Sequence, residues 1–186
     1  MKLNVKDMVL VAMFTALTAI GAFIKIPIPY VPITLQFFFC GLAGIMLGAK
    51  LGMLSQLLYV TLGLIGLPIF AGGGGITYIF QPSFGYLIGF ILAGYVIGKI
   101  SERYKKLRIG NSLGAVLAGL AVIYICGVLY MYLIFNFHLG KPHNILWVIQ
   151  AGLIPFIGKD LFLSVVTAII ATRVATVIDR PVLKRI

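Results

Sequence analysis

The sequence predicts an all-α integral membrane protein: one domain over residues 1–186, with six transmembrane helices and both termini in the cytoplasm. Three observations predict it. The chain is 61% hydrophobic, only 10% charged, and has a mean hydropathy of +1.12. Soluble domains carry roughly 25% charged residues, so this composition belongs in lipid. The apolar residues fall into six stretches, 8–24, 33–48, 51–67, 84–100, 113–137 and 157–178, each near the ~20 residues that a bilayer crossing needs. Finally, of the 15 Lys and Arg residues only Lys25, Lys141 and Lys159 fall outside the N-terminus, the turn between the second and third stretches, the loop between the fourth and fifth, and the C-terminal end. This positive-inside bias sets an even number of spans with both ends inside. The net charge of +11 thus gives the inner face affinity for the anionic lipid bilayer, and no nucleic acid is expected as a partner.

The first stretch, 8–24, is too long for a signal-peptide core and is read as a membrane helix. Asn4 suits its N-cap, with Asp7 in the first turn. Ala12 and Ala16, four apart, form a small-residue face that lets another helix approach closely. By pattern alone that partner is a helix of this same chain. Lys25-Ile26-Pro27-Ile28-Pro29-Tyr30-Val31-Pro32 follows, and its three prolines exclude a helix. It reads as an extended outer loop.

The second stretch starts with Thr34 and Gln36 near its outer end. Gln36 is a buried polar candidate, for a ligand or for an interhelical hydrogen bond. A break at Gly48-Ala49-Lys50-Leu51-Gly52 separates it from the third stretch. Beyond Leu67 the chain turns irregular: Pro68, Phe70, four glycines from Gly72 through Gly73 and Gly74 to Gly75, then Tyr78, Phe80, Gln81 and Pro82. No residue from 68 to 82 is charged. Irregular backbone this apolar survives at membrane depth only when buried in protein or lining a cavity. The loop reads as a lid or wall, with Phe70, Tyr78 and Phe80 as flat apolar surfaces and the glycines as close-approach backbone; a merely flexible connection is the simpler alternative. It lacks the Lys-Ser/Thr ending of a nucleotide-binding phosphate loop.

The fourth stretch carries Gly85, Gly89 and Gly94 as close-approach positions, and the fifth turns from Gly/Ala to Tyr along its length. His138 and His143 lie in an outer loop without a nearby carboxylate, so no metal site is expected. Cys40 and Cys126 have no spacing partner and read as small core residues. Trp147 suits the outer interface or a pocket rim. Residues 144–154 read as a short outer helix leading into Pro155.

The last stretch opens with Gly158-Lys159-Asp160, an acid and a base side by side in an apolar context. Ionisable groups inside a membrane are costly and usually face a cavity or each other. At a helix start near the outer surface, the pair reads as half of a pocket for a small, polar-headed ligand. A snorkelling lysine beside a helix-start aspartate is the competing description. No nucleophile–base pair, metal cluster or carboxylate pair is evident, so no catalytic residues, no cofactor and no enzyme are expected.

Three motifs in order carry a family resemblance: Pro27 through Gln36, Gly63 through Gly75, and Pro82 through Phe90. Together with the stretch from Pro155 to Asp160 they resemble the BioY family. These are the biotin-specific S components of energy-coupling-factor (ECF) transporters. The resemblance implies an S-component-like bundle in a prokaryotic cell membrane. It implies biotin as ligand, bound by Asp160, Lys159, Gln36, Thr34, Phe70, Gly72, Gly73, Gly74, Gly75, Tyr86, Gln81 and Trp147. It also implies a transmembrane scaffold subunit and two cytoplasmic ATPase subunits as partners, with docking through Ala12 and Ala16. One departure stands out. Many members place a lysine three residues after the aspartate, where this chain has Leu163; here the lysine precedes it as Lys159. An S component for thiamine or riboflavin, or a stand-alone oligomeric uptake protein, are the alternatives.

Overall fold

The computed structural model describes residues 4–177. Lys2, Arg180, Lys184 and Arg185, on which the inside assignment partly rests, lie outside the described residues, as does Ile178 at the predicted end of the last span. Within them the chain forms seven α-helices and one two-stranded sheet. The order is α1 (Val5–Phe23), β1 (Lys25–Ile26), β2 (Ile33–Thr34), α2 (Gln36–Leu47), α3 (Ala49–Leu64), α4 (Phe84–Glu102), α5 (Ile109–Leu133), α6 (Ile145–Gly152) and α7 (Ile154–Val177).

The six comparable stretches of the sequence reading therefore become helices of unequal length. Four, namely α1, α4, α5 with its continuation to His138, and α7, are long and apolar enough to cross a membrane. α2 and α3 have only 12 and 16 residues. Each shortening has a local cause. Ile33 and Thr34, expected inside the second helix, are drawn into an antiparallel pairing with Ile26 and Lys25. α3 ends at Leu64 because Gly66 adopts a positive φ of 114° and Pro68 follows. α1 begins at the expected cap, one turn ahead of the apolar stretch 8–24. Asn4 Oδ1 accepts from Asp7 N at 2.8 Å, and Asp7 Oδ2 accepts from Asn4 N at 3.4 Å, a reciprocal cap that starts the helix at Val5.

The helices meet at small residues. A Cβ placed on Gly94 of α4 would lie 2.9 Å from the Gly52 carbonyl oxygen of α3. On Gly98 it would lie 2.2 Å from the backbone nitrogen of Ala49. Glu102 Oε1 accepts from that same nitrogen at 2.8 Å, so the end of α4 caps the start of α3. The α2–α3 break sits at Gly48, whose φ is 80°. α1 joins through polar contacts: Thr15 Oγ1 donates to the Ser55 carbonyl at 2.9 Å, and Gln56 Nε2 donates to Thr18 Oγ1 at 3.1 Å. Ala12 and Ala16 are exposed, whereas Thr15 and Thr18 at this seam are buried.

Residues 65–83 fold back over the end of α3. Phe70 and Gly73 exchange backbone hydrogen bonds at 2.8 and 3.1 Å, Gly75 N donates to the Gly63 carbonyl at 2.7 Å, and Ile76–Phe80 form a 3₁₀ turn. The segment is thus hydrogen-bonded to the bundle, as the apolar composition required, rather than a loose connection.

Candidate ligand-binding site

A cavity with an empty volume of about 560 Å³, partly open to solvent, lies at the end of the bundle that carries the hairpin and the 65–83 segment. Five parts of the chain wall it. The hairpin and the start of α2 supply Val31, Pro32, Thr34, Gln36 and Phe37. The 65–83 segment supplies Ala71, Tyr78 and Ser83. α4 gives Tyr86, Leu87 and Phe90; α5 gives Leu120, Ile123 and Tyr124; α7 gives Phe156, Lys159 and Asp160.

Asp160 is the chemical centre. It is 5% exposed. Its Oδ2 accepts from the Tyr124 hydroxyl at 2.7 Å. Its Oδ1 is ion-paired with Lys159 Nζ at 2.6 Å and meets no other donor among the described residues. Lys159 Nζ also donates to the Thr34 carbonyl at 2.8 Å, tying α7 to β2. An ionised carboxylate has about four lone-pair sites, so beside Tyr124 and Lys159 this one keeps acceptor capacity for a ligand donor, on a cavity wall that is otherwise mostly apolar.

A second polar chain stands beside it. Thr34 Oγ1 donates to Gln36 Oε1 at 3.0 Å, Gln36 Nε2 donates to the Tyr59 hydroxyl at 2.9 Å, and that hydroxyl donates to the Ile69 carbonyl at 2.9 Å. Hairpin, α2, α3 and the 65–83 segment are thereby linked. Tyr86 spends its hydroxyl on the Gly152 carbonyl at 2.6 Å and contributes its ring to the wall.

Of the residues read from sequence, Thr34, Gln36, Tyr86, Lys159 and Asp160 meet at the cavity. Phe70 and Gly72 stand one layer back. Phe70 is 1% exposed and fills the space over Gly63, with its ring 4.6 Å from that of Tyr78; Gly72 packs against the same Tyr78 ring. Gly73 and Gly75 hold positive φ angles of 117° and 102° that turn the chain, and Gly74 presses on the Leu67 carbonyl. None of these four glycines, nor Gln81, which is exposed, belongs to the cavity wall. Trp147 is also outside it. Its ring stacks on His143 at 3.6 Å and meets Phe135 and Tyr30 edge-on at 5.3 and 5.5 Å, so it pins the hairpin tip to α6. His138 stacks on Phe80 at 4.5 Å.

Tyr124, Ser83, Phe90 and Phe156 are among the wall residues that sequence reasoning did not single out as site residues. Tyr124 is one tyrosine among several in α5; only the packing of α5 on α7 puts its hydroxyl on Asp160. The signal that could have found it is the need of a buried carboxylate for a donor.

The comparisons with known proteins agree with this architecture. The sequence profile of the BioY family matches residues 1–180. The probable biotin transporter BioY of Lysinibacillus sphaericus is 46% identical over 167 residues, covering 90% of this chain and 85% of that protein. The biotin transporter BioY of Thermotoga maritima is 42% identical over 169 residues, covering 90% and 95%. Among solved structures, the S-component for biotin from an ECF-type ABC transporter matches with a TM-score of 0.81 at 29% identity, over 95% of each chain. The S component of a bacterial ECF transporter, at 22% identity and a TM-score of 0.52, shares the fold. The apolar helices and these relatives make the protein a multi-pass protein of the cell membrane. A profile match over nearly the whole length, with relatives above 40% identity, leads to one conclusion: the chain belongs to the BioY family.

Proposed function

We propose that this chain is the biotin-capturing S component of an ECF transporter, binding biotin at the outer face and releasing it inside when docked on its energising module. The observation that carries the reading is the buried carboxylate of Asp160, ion-paired with Lys159 yet with acceptor capacity left, on a mostly apolar cavity. Biotin has a ureido ring whose N–H groups need an acceptor and a sulfur ring that needs apolar walls. Asp160 accepts from the ureido N–H, Tyr124 and Lys159 hold that carboxylate in place, and Phe90, Tyr86 and Phe156 enclose the rings. The names of the relatives and the biotin S-component structure support the same ligand.

In this reading α1 to α5 and α7 are six crossings with both termini cytoplasmic. α2 and α3, at 12 and 16 residues, are about 18 and 24 Å long, and the hairpin and the folded-back segment complete their crossing. The exposed Ala12 and Ala16 form the face that docks on a transmembrane scaffold subunit, which in turn carries two cytoplasmic ATPases.

Calorimetric titration of the purified chain in detergent tests the ligand. Saturation by biotin near one per chain, with no heat from thiamine or riboflavin, is the expected result. A folded sample that ignores biotin, or binds one of the other two vitamins, overturns the assignment.

A further inference from the structure

Capturing an acid requires a cation for its carboxylate, and the charges around this cavity do not offer the obvious one. Lys159 is already committed. Its ammonium sits 2.6 Å from Asp160 Oδ1 and donates to the Thr34 carbonyl, so the pair is neutral as a unit. The chain has four Asp and Glu residues. Asp7 lies at the start of α1, Glu102 caps α3 at the opposite end of the bundle, and Asp179 lies outside the described residues. Among the described residues, Asp160 is therefore the only carboxylate at the cavity end, and its charge is spent on Lys159.

We infer that Lys25 is the residue that recognises the ligand's carboxylate, which sets the ligand's polarity in the site: ring head inward at Asp160, acidic tail at the hairpin rim. This rests on the biotin reading above and assigns a role within that same site.

Two independent pieces of geometry place Lys25 there. Its Nζ donates to the carbonyl oxygen of Ala71, and Ala71 is part of the cavity wall. Lys25 is also the direct cross-strand partner of Thr34, another wall residue. Residues directly opposite in an antiparallel pair project from the same face of the sheet. The Lys25 side chain thus leaves the hairpin on the same face as Thr34; it is exposed and stands at the rim, outside the residues that wall the cavity. An ammonium has three donors; here one is used, on a neutral carbonyl, and no carboxylate of the described residues meets it. Lys141, the other surplus cation at this end, lies in the loop before α6 and bonds to no wall residue among those described. A carboxylate arriving at the rim adds to the Lys25 ammonium without breaking the Lys159–Asp160 pair. A charge-assisted hydrogen bond of this kind changes affinity by about tenfold or more.

The test compares biotin with its carboxamide, which has the same rings and a neutral tail. Wild type is expected to bind biotin about tenfold or more tightly than the amide. Lys25→Met is expected to bring biotin down to the amide's affinity and leave the amide unchanged, and Lys25→Arg to keep the preference. Wild type with equal affinity for acid and amide overturns the inference. So does a Lys25→Met protein that keeps the preference or weakens both ligands alike, and so does loss of the preference in Lys159→Met alone. Failure of wild type to bind either compound is a different result: it removes the biotin reading on which this assignment stands.

Discussion

The two ends of the bundle are held together by different physics. At the end where α2, α3 and α4 meet, backbone lies on backbone. Gly98 faces Ala49, Gly94 faces Gly52, and the spaces between them would not admit a methyl group. At the cavity end the segments between helices are irregular, and side chains hold them by single hydrogen bonds to carbonyl oxygens. Lys25 donates to Ala71, Tyr130 to Ile79, Tyr59 to Ile69, Tyr86 to Gly152 and Lys159 to Thr34. Backbone without a helical partner must be satisfied from inside the protein when water is scarce. Tyrosine and lysine do that here. The first arrangement leaves no slack. The second adds to the backbone bonds of the 65–83 segment a set of single side-chain contacts that can be exchanged one at a time, which suits the end that carries the cavity.

The sharpest way to break this contrast is at Gly98. Gly98→Leu forces a side chain onto the Ala49 backbone, and a loss of about 3 kcal/mol or more is expected. Thermal unfolding in detergent reads it out; a wild-type melting temperature would show that this end has slack after all. At the other end, Asp160→Asn takes the counter-ion from Lys159 and should cost about 1–3 kcal/mol in stability while weakening biotin about tenfold to a hundredfold by titration, because an ionised acceptor becomes a neutral one. A lowered melting temperature with biotin affinity unchanged would make the carboxylate purely structural. Tyr59→Phe removes one link in the chain from Gln36 to the Ile69 carbonyl, and the expected cost is about 1 kcal/mol in stability, with biotin affinity falling a few-fold or less. A larger drop in affinity would mean that the stitches act together. The smallest effect on the isolated chain belongs to Ala16→Trp on the exposed face of α1. Melting and biotin binding should match wild type while co-purification with the scaffold and ATPase subunits is lost; retained co-purification would place docking on another face.

Local chemistry made much of this legible. The Gly48 break, the Asn4 cap and the close approaches at Gly85, Gly89 and Gly94 each follow from a residue and its immediate neighbours. The pairing of Ile33–Thr34 with Lys25–Ile26 was not legible, because Ile33 and Thr34 are also good residues for an apolar helix start and only the returning chain decides between the two. The glycine run misled in a specific way. Gly73 and Gly75 are glycine for their φ angles and Gly74 for its fit against Leu67, so the run makes a turn and leaves the wall to Ala71, Tyr78 and Ser83. Tyr124 was hidden because its partner is on another helix, 36 residues away in sequence.

The ring cluster at the hairpin tip has a practical use. The chain contains a single tryptophan, and it is the one stacked on His143 with Tyr30 at its edge. Light absorbed selectively by indole is therefore emitted from one known place, the joint between the hairpin and α6. A displacement of the hairpin would take Tyr30 from the indole and let water in, shifting the emission to the red. The native protein thus carries its own optical gauge of whether this joint stays closed, with no label to attach and no second tryptophan to subtract.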